Sequence, residues 1–215
     1  MKDSFLIIGN KPYKKFKFNE IIDSFEEICR CNLSLPNRNN GTKHGNLACC
    51  SHFYINLVQS RVSLERFIQI YEEEYIKEEL IEFYNNFNVS DFQDVFFAVP
   101  ETTVYNTWLQ KHECPYSFSM MPRTGYTVLF NTLLYMKKSI YVSNFSIKEE
   151  KPESYATIGN PSNCHDTSEE SNILRWLHSN SYIDASLCLL EDEVLPTIAA
   201  DDLELSLTIK TLLNK

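Results

Sequence analysis

"FLIIGN", residues Phe5 to Asn10, is an unbroken apolar run that ends on a Gly-Asn pair. A short run of this kind, bounded by a turn signal, reads as a buried strand. Gly9-Asn10 then supplies the turn at its carboxyl end. Working outward, similar segments recur. "EEICRCN" and "NLACCSHFYI" read as a second and third strand around the polar loop "LPNRNNGTKHGN", and "DVFFAV" reads as a fourth. "NEIIDSF" reads as a short helix or turn. From Ser63 to Phe87 the spacing is helical, with Leu64, Phe67, Ile68, Tyr71 and Tyr75 on one side and glutamates on the solvated side.

Beyond the fourth strand, "TTVYNTWLQKHE" has a helical pattern, "CPYSFSMMP" is a loop closed by proline, and "TGYTVLFNTLLYMKK" predicts a helix beginning at Gly125. "SIYVSNF" reads as a strand and "KEEKPESYATIGNPSN" as a polar loop. Thr167-Ser168-Glu169-Glu170 predicts a capping box, with Thr167 at the N-cap, ahead of Ile173, Leu174 and Leu177 at helical spacing. A final strand is expected near "DASLCLLED" and a helical tail from about Ala200. No repeat and no linker divides the chain. Strands alternating with helices predict one α/β domain over residues 1–215, Rossmann-like, with a mainly parallel sheet flanked by helices.

Composition narrows the partners. The chain has 215 residues, 43% hydrophobic and 23% charged, which suits a soluble globular domain with its own core. A net charge of -9 argues against nucleic acid, whose phosphates require clustered Lys and Arg. Lys11, Lys14, Lys15 and Lys17 form a local basic patch, most simply a solvated loop face. The seven cysteines are scattered without paired Cys-x-x-Cys clusters, so no zinc site is expected and free buried thiols in a reducing compartment are. No apolar run approaches the ~20 residues of a membrane span. With no signal-peptide pattern before the first strand, the expected location is cytoplasmic.

In parallel sheets, ligands bind where strand carboxyl ends lead into loops. Four polar clusters fall at such places: Gly9-Asn10, Arg30-Cys31-Asn32, Arg123-Thr124-Gly125, and His165 with Tyr155 upstream. Each has a plain alternative: Gly-Asn serves many turns, Thr124 serves helix capping as well as anion binding, and a lone histidine is commonly structural. There is no Gly-x-Gly-x-x-Gly, which removes support for a nicotinamide dinucleotide.

Taken in order, the clusters resemble the sialyltransferases, which move sialic acid from its CMP ester to a sugar hydroxyl. Gly9-Asn10, Ile22-Asp23-Ser24, Arg30-Cys31-Asn32 and Gly41-Thr42-Lys43 follow the family's long motif. Pro122, Thr124 and Gly125 are similar to its short Pro-Ser-Thr-Gly motif, and His165 through Glu170 to its His-x4-Glu motif. The resemblance runs from Phe5 to about Leu190, and its start at the first strand is closest in layout to the bacterial lipooligosaccharide sialyltransferases. It implies a variant GT-A-like fold and an inverting transfer that uses a CMP-sugar donor as substrate, with no cofactor and no metal. It implies that Asn10 and Asn32 hold CMP and that Gly9, Thr124 and Gly125 lie at the phosphate or the sialic carboxylate. His165 would be the base, and Tyr155 is the loose match to a phosphate contact. The implied acceptor is a glycan, with a lipid-linked one and peripheral contact at the inner membrane face among the candidates. Lys11 after Gly-Asn and Arg123 before Thr124 depart from the pattern. They leave two alternatives open: another CMP-activated sugar such as Kdo, or a non-catalytic relative that binds glycan or nucleotide.

Overall fold

The computed structural model describes residues 3–11, 18–32, 34–37, 40–50, 54, 87–147 and 165–192. In chain order these form β1 (Ser4–Ile8), α1 (Asn19–Asp23), β2 (Glu27–Cys31), β3 (Asn46–Cys49) and β4 (Val95–Phe97). There follow α2 (Thr102–Lys111), α3 (Thr124–Tyr135), β5 (Ser139–Ser143), α4 (Thr167–Ser179) and α5 (Ser186–Asp192). The strands make one sheet of five in the order β4-β3-β2-β1-β5. Every neighbouring pair is parallel, with Ile7 of β1 facing Cys29 of β2 on one side and Val142 of β5 on the other.

β1 is buried along its whole length because both faces of the sheet are covered, as parallel sheets require. The two-residue period sorts its side chains. Leu6 and Ile8 join Phe18, Ile22, Phe25, Leu187 and Leu190 beneath α1 and α5. Phe5 and Ile7 join Val128, Leu129, Ile173, Leu174 and Leu177 of α3 and α4 on the opposite face. The expected α/β architecture with a mainly parallel sheet is thus present among the described residues.

Three expectations need correction. The run "DASLCLLED" is the helix α5, not a strand; its ladder pairing with the sheet among the described residues is the isolated bridge of Asp184 to Tyr141. Its Oδ1 accepts from the Ser186 N–H at 2.8 Å, which starts the helix, and Leu187, Cys188 and Leu190 are buried as a helix would bury them. Helix α4 is capped by Asp166, not Thr167: the Asp166 carboxylate accepts from the N–H groups of Ser168 (2.9 Å) and Glu169 (3.0 Å). Helix α3 begins at Thr124, one residue before Gly125. Residues 63–86 of the helix predicted over Ser63 to Phe87, the loop over 148–163 with Tyr155, the tail from Ala200 and Lys14, Lys15 and Lys17 lie outside the described residues.

Much of the long motif makes one structural knot. Arg30 is fully buried in β2, and its guanidinium donates to the carbonyl oxygens of Lys43 (2.8 Å), Ser34 (3.3 Å), Asn40 (3.1 Å) and Gly41 (3.3 Å). Asp23, at the end of α1, accepts from the Thr42 N–H and hydroxyl and from the Lys43 N–H. Gly41 has a positive φ of 86° and lies so close to Ile22 and Asp23 that a side chain would collide with both. Lys43 completes the knot by donating its ammonium to the Phe25 carbonyl at 2.9 Å. These residues shape the loop between β2 and β3 and leave Asn32 to face the strand ends.

Arg30→Met would strand four carbonyl oxygens that one planar fork now satisfies. The expected cost is about 3 kcal/mol or more, read as a lower urea midpoint at unchanged slope. Arg30→Lys, with one compact ammonium, is expected to recover less than half of it.

Candidate functional site

The strand order reverses between β1 and β5, so the topological switch point lies where Gly9 and Asn144 leave the sheet. Backbone groups at these carboxyl ends no longer have a neighbouring strand to pair with, and side-chain amides take over. Asn32, just past β2, has a left-handed φ of 48°. Its Oδ1 accepts from the Cys50 N–H at the end of β3 (2.7 Å), and its Nδ2 donates to the Thr124 hydroxyl (3.2 Å). Asn144, just past β5, has a φ of 61° and donates Nδ2 to the Lys11 carbonyl at 2.7 Å, while its own carbonyl accepts from the Lys11 N–H at 3.0 Å. The turn at Gly9-Asn10-Lys11 is therefore gripped from β5. The Asn10 Oδ1 is buried there with no hydrogen-bond donor among the described residues.

Both predicted glycines owe their identity to crowding. A Cβ at Gly9 would strike the Asn144 carbonyl and approach the Phe145 ring to 3.1 Å; a Cβ at Gly125 would come within 2.8 Å of Phe145 Cζ. One buried ring thus lies against both, and it also packs edge-on against Tyr126 with centroids 5.3 Å apart. Gly9, Gly125 and the strand ends are brought together, but close packing accounts for the glycines without any ligand.

Helix α3 begins without a side-chain cap, with the Thr124 hydroxyl at its first position. An uncapped start presents backbone N–H groups and the positive end of the helix dipole. The loop leading into it is strapped to the start of α4 at three points. The Ser119 N–H and hydroxyl both donate to Glu169 Oε2 at 2.8 Å. His165 Nδ1 lies 2.6 Å from the Met121 carbonyl. Glu170 accepts from the Arg123 N–H through Oε1 (2.7 Å) and pairs with Arg123 Nε through Oε2. Glu170 therefore does not complete a capping box; its carboxylate is spent on Arg123, which departs from the small hydroxyl residue of the resembled motif.

The chemistry of the strap follows from donor and acceptor rules. A carbonyl only accepts, so His165 must carry its proton on Nδ1, and the neutral ring keeps Nε2 as its acceptor. Glu170 is 1% exposed; burial pushes its carboxyl above the ordinary range while Arg123 draws it back. The Tyr126 hydroxyl is pushed well up by burial and then by Glu170, with Arg123 again opposing. The Arg123 guanidinium carbon lies 5.7 Å from the Tyr126 ring centre, so the cation is shared between carboxylate and ring.

Of the predicted site residues, Asn32 and Thr124 are joined directly, Gly9 and Gly125 meet across Phe145, and Asn10 lies in the turn beside them. His165 is linked to the same loop three positions before Thr124, within about 11 Å of chain. Asn144, Phe145 and the Arg123–Glu170 pair were not foreseen. "SIYVSNF" carried one usable signal, an asparagine just past a strand, the same pattern as Asn10 and Asn32. Among the described residues no group of three or more His, Cys, Asp or Glu could hold a metal ion.

These features define an open parallel α/β sheet with polar side chains gathered at its carboxyl ends. No protein-family model matches the chain, and no curated sequence matches it. Similar solved structures do exist. A mammalian sialyltransferase has a TM-score of 0.48 at 14% identity, over 84% of this chain and 67% of that one. The α-2,3-sialyltransferase of Campylobacter jejuni in apo form has a TM-score of 0.47 at 18% identity, over 90% and 77%. The sialyltransferase CST-II, solved with CMP and a trisaccharide acceptor, has a TM-score of 0.42 at 16% identity, over 84% and 78%. Likeness at this level concerns the arrangement of the chain.

The cysteines give a direct test of this packing. Cys29 and Cys49 are raised to about 12 by burial, and Cys31 well above the usual thiol range. Cys50, beside Asn32, and Cys114 are only half-buried. Among the described cysteines, a water-soluble thiol reagent at pH 8 should label Cys50 and Cys114 first, with the peptides of Cys29, Cys31 and Cys49 labelled only after unfolding. Peptide mapping by mass spectrometry reads the order.

Proposed function

We propose that this protein is a glycosyltransferase that moves sialic acid from CMP-sialic acid to a hydroxyl of an acceptor glycan. The observation that carries the reading is a histidine whose Nδ1 is committed to the Met121 carbonyl, on the same loop as the uncapped start of α3. Its Nε2 is then a base of fixed tautomer, held near a site suited to an anion. The order of the resembled motifs supplies the substrate class.

In this reaction the acceptor hydroxyl attacks the anomeric carbon of the donor. Its proton passes to His165 Nε2, the new glycosidic bond forms, and the bond to phosphate breaks with its electron pair leaving on CMP. One displacement inverts the anomeric centre. The transition state resembles an oxocarbenium ion, so stabilising the leaving phosphate matters as much as deprotonation. Thr124 and the Gly125 N–H would take the phosphate or the sialic carboxylate. Asn10 and Asn32 would hold CMP; the buried Asn10 Oδ1 is an acceptor that a ribose hydroxyl or the cytosine amine would satisfy. Gly9 lets the first turn approach closely, and Tyr155 is assigned to the phosphate by the motif resemblance. The scheme assigns no step to a metal or cofactor. The whole chain acts as one transferase domain in the cytoplasm, with a lipid-linked glycan acceptor at the inner membrane face.

The test is CMP release from CMP-sialic acid, with and without a galactose-terminated acceptor. His165→Ala should lower acceptor-dependent release by on the order of 100-fold or more. Asn32→Ala should mainly weaken CMP binding, measured by calorimetry. CMP binding lost in Asn32→Ala but no release from CMP-sialic acid would point to another CMP-sugar, such as Kdo, or to a binding protein. The absence of both release and CMP binding would overturn the reading.

A further inference from the structure

We propose that the Arg123–Glu170 pair, a buried carboxylate bonded to a partly exposed arginine, is a positioning device that fixes the His165 imidazole relative to the start of α3. The inference deepens the transferase reading of the same site and rests on it for its catalytic consequence; its structural content stands independently.

The geometry is specific. Glu170 lies in the first turn of α4, five residues after His165, and Arg123 immediately precedes Thr124, the first residue of α3. The carboxylate takes both the main-chain N–H and the side-chain Nε of Arg123, so it holds the backbone at the head of α3 as well as a side chain. A single exposed ion pair would swing on two flexible side chains. Here the carboxylate is fully buried, the Arg123 guanidinium lies over the Tyr126 ring, and the α4 dipole favours a negative charge at that turn. The Met121 carbonyl that holds His165 Nδ1 lies two residues before Arg123. Displacing residue 123 therefore moves the imidazole's own anchor. The base and the anion-binding helix start, carried by elements far apart in the chain, are locked into one rigid unit.

Neither partner does this alone. Glu170→Gln keeps the size of the side chain but turns an NH2 group toward Arg123 Nε, so two donors meet. Arg123→Met keeps the main-chain N–H and loses the fork. Arg123→Met/Glu170→Leu removes both charges together and leaves an apolar contact, which buried ion pairs tolerate well in stability. That double variant separates folding from positioning.

Two readouts decide the matter. In protein labelled with 15N-histidine, the His165 Nδ1 proton, assigned by its absence in His165→Ala, should give a slowly exchanging resonance because it is bonded to Met121. We expect that resonance to broaden or vanish in Glu170→Gln and in the double variant. The double variant should still melt cooperatively within a few degrees of wild type. In the same proteins, kcat should fall roughly 10- to 100-fold, while KM for the CMP-sugar changes less than about threefold, as expected when a base is displaced but the donor site is kept. A folded double variant that keeps both the Nδ1 resonance and wild-type kcat overturns the proposal. Wild-type protein that shows the resonance, loses it in Glu170→Gln, and turns over no CMP-sugar would sustain the positioning claim and sink the transferase reading instead.

Discussion

A parallel sheet ends all its strands on one edge, and the backbone there must find partners other than neighbouring strands. In this protein that obligation falls on asparagines in left-handed conformation. Asn32 leaves β2 and bonds the end of β3; Asn144 leaves β5 and bonds the turn after β1. Each satisfies its neighbour rather than itself, so the strand ends are stitched in pairs. Asparagine suits the task because it tolerates positive φ and carries both donor and acceptor. The same stitch leaves Asn32 Nδ2 on Thr124, and so the sheet edge reaches the helix that would hold the anion.

From that edge two kinds of motif residue separate. Arg30, Asp23, Gly41, Thr42 and Lys43 form a knot that shapes the loop between β2 and β3. Asn32 and Thr124 bond each other at the strand ends, Asn10 lies in the turn after β1, and His165 is held by the Met121 carbonyl. A motif that looks like one functional signature is thus in large part scaffold. The identity of Gly9 and Gly125 belongs to the scaffold too, since the ring of Phe145 leaves no room for a side chain at either.

How much of this was legible beforehand depended on the range of the interaction. The strand at Ser4–Ile8 was plain because burial on both faces produces a nearly unbroken apolar run, while Glu27–Cys31 and Ser139–Ser143 carry shorter apolar stretches, the former interrupted by the buried Arg30. "SLCLL" failed for the same reason: an apolar run long enough for a buried strand is also long enough for two turns of buried helix, and Asp184 tipped it to helix. Thr167 and Asp166 are both good caps, and sequence cannot rank neighbours one residue apart. Glu170 was misassigned because its position fits a capping box, while its partner, Arg123, is forty-seven residues away. The base candidate was found from a motif; what fixes its tautomer, the Met121 carbonyl, has no sequence signature at all.

The strand order carries a consequence for how the chain is made. β1 pairs with β2 soon after both leave the ribosome, but its other edge waits for β5, which begins roughly 110 residues after β2 ends. At translation rates of about 5–20 residues per second, that edge stands open for about 5–20 s. It is flat, apolar and central, the kind of template that recruits foreign strands. Nascent-chain protection, rather than the stability of the finished fold, is therefore where this topology is most exposed to failure.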